Sequence, residues 1–209
     1  IKEQAPLHTA IGINVPLTLP PCMTCVKKSC PLPSKCSVPA VKWMRKISGG
    51  SDFTPYTQRP SEIWIKHKIF QNTPERLRFE IDEALGGSRA PLTARMHFLK
   101  KHLKPYRLIE AHPKLTLSQL AQILPLEARL ISSYRKLEEG AHAREKILDT
   151  LCEKEQIFIY QKDIQKLSEH LTTFDAFICA LTALYSDRAQ TLKMPKNFPD
   201  PKGWIHTPC

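Results

Sequence analysis

Four cysteines near the start of the chain have types and spacing that suit metal chemistry. Cys22, Cys25, Cys30 and Cys36 follow the pattern C-x2-C-x4-C-x5-C, and the other three of the seven cysteines stand apart. Thiolates at such spacings bind zinc tetrahedrally or, as the alternative, hold an iron–sulfur cluster. A secreted disulfide framework would spread its cysteines along the chain, and no signal peptide is evident, so we expect a cytoplasmic metal site. A loop without metal remains the third possibility.

Three lysines lie between these cysteines, at Lys27, Lys28 and Lys35. Positive charge stabilises thiolates and would face outward from a metal-bound loop. The spacing is close to that of a zinc knuckle, C-x2-C-x4-H-x4-C, with cysteine in place of histidine. The loop from 22 to 36 is therefore predicted to bind zinc.

Three oxygen-bearing side chains are candidates for a second site, which would hold Mg²⁺ or Mn²⁺ for phosphodiester cleavage. Glu110 ends one predicted strand, Asn14 ends another, and Asp175 lies near the start of a predicted helix. Asp175 and Glu110 also have ordinary structural explanations. Asp175 stands three residues after Thr172 and could complete a helix capping box, while Glu110 could be a solvent-facing strand residue. The pattern alone leaves both alternatives open.

These candidates must be positioned by strands that alternate with helices, which predicts the α/β class. Short β-branched runs predict strands, amphipathic periodicity predicts helices, and Thr-Pro-Glu is a helix-start signal. We expect strands at Ala10–Val15 and Tyr106–Ala111, and helices at Val41–Ile47, Thr73–Leu85, Leu92–Leu103 and Thr172–Ser186. The third helix should bury Leu92, Met96, Leu99 and Leu103 and carry basic residues outside.

The 209 residues carry a formal net charge of +11, with a pI near 9.4. This surplus favours nucleic acid as a partner, then an anionic membrane surface; charges that are merely solvated are the alternative. No apolar run is long enough to span a bilayer. The chain begins with Ile rather than Met, so we expect it to lack its natural beginning. We expect one domain over 1–209, with a tail at 193–209 that folds back through Trp204 and Ile205.

The chain resembles the uncharacterised family of predicted nucleases with an RNase H-like fold. Six blocks carry the resemblance, in the expected order and across nearly the whole chain. They are IGINVPLTLP (11–20), YTQRPSE (56–62), LIEAHP (108–113), SYRKLEEGAHAREKIL (133–148), DAFICALTAL (175–184) and GWIHTP (203–208). The resemblance implies a mixed sheet flanked by helices, with acidic residues that gather at one edge to bind a divalent metal.

Matching positions imply roles for individual residues. Glu110 and Asp175 become metal ligands, and the cleft is lined by Arg59, Glu62, His112 and Arg144. Without the resemblance, Arg59 and Glu62 would be interpreted as a surface ion pair. Asn14 departs from the family, which usually has aspartate there, and an amide oxygen without charge binds Mg²⁺ more weakly. The resemblance also implies a leading hairpin whose first strand carries an aspartate, and the chain starts too late to contain it. We therefore expect a fragment, a protein whose N-terminal part lies outside the structure, or a degenerate member.

Three functions follow from these observations. The first is a Mg²⁺- or Mn²⁺-dependent nuclease or related phosphotransfer enzyme, whose basic helix at Leu92–Lys104 contacts phosphates. The second is a non-catalytic nucleic-acid-binding protein with a metal-stabilised cysteine loop, which Asn14 favours. The third is a scaffold protein with a zinc-stabilised loop, which would not bind polyanions.

Overall fold

A small parallel sheet organises the chain in the computed structural model, which describes residues 9–50 and 52–209. Its strands are β1 (Ala10–Ile13), β2 (Arg107–Ala111) and β3 (Ile205–His206), in the order β1-β2-β3. Both neighbouring pairs are parallel, with Ile13 opposite Glu110 and Glu110 opposite Ile205. The predicted α/β class is confirmed. The expected mixed sheet is wrong for the described residues, because their single antiparallel bridge, Thr191–Pro208, lies outside the strands.

Helices surround this sheet. Three short ones precede the middle of the chain, namely α1 (Leu32–Lys35), α2 (Pro39–Ile47) and α3 (Pro60–Trp64). The last continues through a π-helical turn, Ile65–Ile69, into α4 (Phe70–Asn72). The others are α5 (Arg89–Leu99), α6 (Pro113–Leu120), α7 (Ala128–Ser133), α8 (Gly140–Glu155), α9 (Gln161–Glu169) and α10 (Leu171–Asp187). No helix of the described residues has the length and apolar character that crossing a membrane requires.

Helix α10 packs directly on β1, and a glycine permits this close approach. A Cβ atom on Gly12 would overlap the backbone carbonyl of Cys179. Gly12 lies opposite Ile109 in the parallel register, so both residues face α10. Successive strand residues point to opposite faces, so Ile13 and Glu110 face away from that helix.

Two groups of buried apolar side chains hold these layers together. The larger lies among α6 to α10, and its fully buried members include Leu117, Tyr134, Ile147 and Phe174. The smaller joins α3 and its continuation to α6 and β3, through Ile65, Ile69, Phe70, Leu115 and Ile205. Burial of each such side chain contributes roughly 1.5–3 kcal/mol before conformational entropy is subtracted.

The C-terminal tail folds back on the body, as predicted. Trp204 and Ile205 are buried, and Trp204 packs edge-on to Phe198 with ring centroids 5.0 Å apart. The ring centroid of Phe198 lies 5.3 Å from that of Trp43 in α2, and the centroid of Trp204 lies 6.5 Å from that of Trp64 in α3. This aromatic cluster places β3 beside β2.

Two helix predictions fail locally. The segment after Thr73 forms only a 3-10 turn, Glu75–Leu77, because Phe79 and Ile81, which follow outside any regular element, pack on the smaller apolar group. Helix α5 buries Thr93 and Met96, whereas Leu92 and Leu99 of the expected stripe are exposed. Residues 1–8 and Ser51, which the expected 1–209 domain includes, lie outside the described residues.

Candidate functional site

Glu110 is held in a bidentate ion pair with Arg59. The Arg59 Nη1 atom donates to Oε2 of Glu110 at 2.8 Å, and Nη2 donates to Oε1 at 2.5 Å. The backbone N–H of Leu17 also donates to Oε2, at 2.8 Å. Both carboxylate oxygens of Glu110 are therefore engaged by donors of the chain itself.

Arg59 joins a second carboxylate at the start of α3. Its Nε and Nη2 atoms donate to Oε1 of Glu62 at 2.9 and 2.6 Å, while its backbone N–H donates to Oε2 at 2.5 Å. Burial raises the pKa of Glu62, and Arg59 opposes this shift. Burial alone would lower the pKa of Arg59, but the two carboxylates raise it overall. The three side chains form one buried charge network.

This network corrects the expectation that Arg59 and Glu62 line an open cleft. Arg59 is 0% exposed and Glu62 only 2% exposed, so neither can contact a nucleic acid in this structure. Glu110 does border a pocket of about 260 Å³ with Lys100 and Lys202, but its oxygens are already bonded. The network is structural: it joins the start of α3 to β2.

Asp175 lies on the other face of the sheet. Its Oδ2 atom is 3.3 Å from Nη2 of Arg135, while its buried Oδ1 has no hydrogen-bond partner within the described part of the chain. Burial raises the pKa of Asp175, and Arg135 and Arg144 oppose this shift. Helix α10 begins at Leu171 after His170, so Thr172 is not its N-cap residue and the capping-box alternative is wrong.

The three proposed magnesium ligands are not brought together. Glu110 and Asp175 lie on opposite faces of the sheet, and Asn14 accepts at Oδ1 from Nη2 of Arg89 at 3.4 Å. Across residues 9–50 and 52–209, no three His, Cys, Asp or Glu side chains are already arranged to hold a metal ion. Glu110 is bonded to Arg59 and Leu17 and faces away from the helix that carries Asp175, so these acidic residues do not fit a shared Mg²⁺ or Mn²⁺ site. The expectation of one acidic hollow is wrong for this structure, because the strand alternation separates its members.

His112 follows β2 and caps α6. Its Nδ1 atom accepts from the backbone N–H of Leu115 at 3.3 Å, so the neutral ring carries its proton on Nε2, which is buried and has no hydrogen-bond partner among residues 9–50 and 52–209. The ring stacks on Phe79 with centroids 5.4 Å apart. Burial lowers the pKa of His112 well below its usual value, and the nearby cations Arg89, Arg135 and Lys114 lower it further.

Those three cations define a feature that sequence reasoning missed. We call these residues, Arg89, Lys114 and Arg135, the edge cluster. The cluster lies at the carboxyl ends of β1 and β2, where ligands commonly bind in parallel sheets. Lys114 Nζ lies 4.7 Å from the centroid of the Phe79 ring. Arg89 and Asp82 form a loose ion pair at 3.5 Å. Because the three cations come from separate elements, no local sequence pattern predicts that they lie close together.

Arg144 is also a structural residue rather than part of a cleft. It is 5% exposed and donates from Nε to the carbonyl of Ser168 at 2.6 Å. Its Nη1 and Nη2 atoms donate to the carbonyls of Tyr134 and Glu169 at 2.5 and 3.2 Å. It satisfies carbonyl groups at the ends of α7 and α9, so the implied role in substrate binding is not supported.

The exposed side of α5 and the turn that follows it carries a dense positive charge. The α5 surface consists of Arg95, Phe98, Lys101, His102 and Lys104, all exposed. Phe98 is 63% exposed, and its ring centroid lies 5.5 Å from that of His102. The basic outer face expected for this helix is confirmed at Arg95, Lys101 and Lys104. Lys100, expected on the same face, is half-buried and donates from Nζ to the carbonyl of Leu17 at 3.0 Å. The buried side of the helix also differs from the prediction.

The four clustered cysteines border one pocket of about 200 Å³. All are free thiols: Cys36 is buried, Cys22 is half-buried, and Cys25 and Cys30 are exposed. The pKa of Cys22 is raised by burial and by the charges of Cys36, Cys30 and Cys25. The sequence pattern therefore corresponds to a spatial cluster.

Comparison with known proteins gives one family match. Residues 73–200 match the profile described as "Protein of unknown function (DUF429)". No curated protein and no solved structure matches the chain. The matched range contains Glu110, Asp175, the edge cluster and the α5 surface, but it excludes the cysteine loop.

Proposed function

The chain belongs to the DUF429 family, and from this premise we propose that it binds nucleic acid through phosphate contacts without catalysing metal-dependent cleavage. The observation that carries the proposal is the α5 surface, where exposed cations surround an exposed aromatic ring. An RNase H-like fold and a cytoplasmic location are part of the same proposal. The parallel β1–β2 pair and the final helix packed on β1 support that fold.

Charge along this part of the chain is entirely of one sign. From Ala84 to Ile109 there is no Asp or Glu, while six Lys or Arg residues occur there. Arg95, Lys101 and Lys104 are exposed, so no carboxylate of this segment competes with a phosphate for them. Such surfaces bind the nucleic-acid backbone by releasing its condensed counterions, whatever the base sequence.

The aromatic ring within this surface favours a single-stranded partner. A base that is not paired in a duplex can stack on Phe98, which is 63% exposed, while flanking phosphates meet Lys101 and Lys104. Base–aromatic stacking contributes about 1–3 kcal/mol per base, and it tolerates any sequence because every base has a π-face. The surface therefore suits single strands better than a duplex.

The edge cluster provides a second place for phosphate. Arg89 begins α5, and it lies beside Asn14 at the end of β1. Together with Lys114 and Arg135 it supplies three cations against the two carboxylates of Asp82 and Asp175. A net positive charge at the carboxyl ends of the strands attracts an anion rather than a divalent cation.

A metal-dependent nuclease is the second candidate. One observation favours it: within the described residues, the buried Oδ1 atom of Asp175 has no hydrogen-bond partner. Against it stands the engagement of both Glu110 oxygens by Arg59 and Leu17. The nuclease would have to use a site that does not include Glu110.

The test measures binding of fluorescent single-stranded RNA and DNA by anisotropy in EDTA, over a salt series. The variant Arg95→Glu/Lys101→Glu/Lys104→Glu should bind more than about tenfold more weakly, with a salt slope smaller by about two. The matched control, Lys146→Glu/Lys154→Glu/Lys162→Glu, changes the net charge equally on exposed positions of α8 and α9. It should retain most of the affinity.

Two results would overturn the proposal. Equal losses of affinity in both triple variants would mean that binding depends only on the net charge of the protein. Cleavage of the same oligonucleotides by the wild type in Mn²⁺, abolished by Asp175→Asn while binding persists, would establish the nuclease instead.

A further inference from the structure

The cysteine loop lacks an apolar core of its own. From Met23 to Lys35 every residue is exposed except Pro33, and Val26 is 96% exposed. Its regular structure is limited to a 3-10 turn, Pro21–Thr24, and the single turn of α1. A segment that buries so little apolar surface cannot offset the entropy of ordering, so it needs another constraint.

The thiols are positioned to supply that constraint. Cys22 and Cys25 lie at the 3-10 turn, where the N–H of Cys25 donates to the carbonyl of Cys22 at 3.4 Å. All four thiols border the same pocket. We propose that Cys22, Cys25, Cys30 and Cys36 bind one Zn²⁺ ion, which holds this loop against α2.

The protein anchors one side of the site before any metal binds. Arg45 of α2 donates to the carbonyls of Pro33 and Cys36, at 3.1 and 3.0 Å, and also to that of Ser34. The N–H of Cys22 donates to the carbonyl of Pro55 at 3.0 Å. The thiols are not yet within a common coordination sphere. The exposed side chains of Cys25 and Cys30 must therefore rotate toward the more buried Cys22 and Cys36.

The donor set selects the metal. No Asp, Glu or His occurs from Thr9 to Ser51, so within the loop only sulfur is available as a charged ligand. Soft thiolates favour zinc over Mg²⁺ or Ca²⁺, and tetrahedral coordination by four cysteines is the usual geometry of a structural zinc site. Lys27, Lys28 and Lys35 offset the charge of minus two that such a site carries.

The experiment determines metal content in freshly purified full-length protein by mass spectrometry, then titrates Co²⁺ into chelator-treated protein. The wild type should hold about one zinc per chain, and Co²⁺ should give the visible bands of tetrahedral thiolate coordination. Cys30→Ser and Cys25→Ser should each lower zinc content about tenfold. Both side chains are exposed, so far-UV circular dichroism of the helices should not change. Cys209→Ser, an exposed cysteine outside the loop, is the matched control and should keep its zinc.

Three outcomes would overturn this proposal. One is protein that contains no zinc and gives no Co²⁺ bands. Another is iron with acid-labile sulfide, which would make the site a cluster. The third is loss of zinc from Cys209→Ser as well. None of these results depends on nucleic-acid binding, so this proposal and the preceding one can fail separately.

Discussion

Arg59 and Glu110 form a bidentate ion pair across 51 residues of sequence, with both side chains buried. The guanidinium of Arg59 bridges Glu110 on β2 to Glu62 in α3 and leaves no free oxygen on Glu110. This ion pair therefore occupies the Glu110 carboxylate that was expected to bind a divalent metal. The same pair attaches α3 to the sheet.

Removal of Glu110 should destabilise the fold. In Glu110→Ala the buried Arg59 keeps only Glu62 as a partner, so we expect the free energy of unfolding to fall by about 3–5 kcal/mol. Urea denaturation followed by circular dichroism measures this change. The control is Asp149→Ala, which breaks a half-exposed pair with Lys146 at 3.8 Å and should cost no more than about 0.5 kcal/mol. Equal stability of the two variants would contradict a structural role for the Arg59 network.

We expect the free energy of unfolding to fall at acidic pH because of His112. Its pKa is depressed by burial and by three cations in the folded state, whereas in the unfolded chain it titrates near 6.5. Below about pH 6.5 the unfolded state therefore binds more protons, and the free energy of unfolding falls as pH falls toward the folded-state pKa. Urea denaturation between pH 7.5 and about pH 5 measures the slope.

The variant His112→Asn isolates this contribution. Asparagine can accept the N–H of Leu115 as an N-cap but does not titrate, so the slope below about pH 6.5 should become shallower. His142→Asn, at an exposed position of α8, serves as the control and should leave the slope as it is. An unchanged slope in His112→Asn would mean that other groups cause the acid sensitivity.

We expect the Phe98 ring to contribute to the affinity for single-stranded oligonucleotides and not to the affinity for duplexes. If bases stack on its ring, Phe98→Ala weakens binding of single-stranded oligonucleotides by about tenfold and leaves duplex binding unchanged. Anisotropy at fixed salt measures both. Phe158→Ala is the matched control, because Phe158 is an exposed aromatic residue (78%) in the α8–α9 connection. A similar loss in the control variant would argue against a specific stacking position at α5.

A methyl group at Gly12 should separate α10 from the sheet. The added Cβ of Gly12→Ala overlaps the backbone carbonyl of Cys179, and no side-chain rotation relieves this contact. We expect a loss of about 3 kcal/mol or more in the free energy of unfolding. Gly49→Ala is the comparison, since Gly49 has φ +69° but no heavy atom of the described residues lies within 4 Å of the added Cβ. It should lose only about 1 kcal/mol, through backbone strain.

Much of the secondary structure follows from local pattern. The Ile and Val residues of Ala10–Val15 predicted β1, and the strand character of Tyr106–Ala111 predicted β2, although the residues of β1 are only half-buried. The helix expected at Thr172–Ser186 corresponds to α10. Prediction failed after Thr73, where packing of Phe79 and Ile81 outweighed a helix-start signal.

The sequence by itself determined the positive charge, the thiol spacing and the strands that carry Asn14 and Glu110, because these depend on residue types and short-range periodicity. Only the tertiary structure decided which face of the sheet α10 covers, and hence that Asp175 and Glu110 lie apart. It also decided that Arg59 neutralises Glu110 and that Arg89, Lys114 and Arg135 converge. The physical reason is that side-chain alternation along a strand fixes which residues share a face of the sheet. Packing between segments that are distant in sequence determines which helix or loop covers each face.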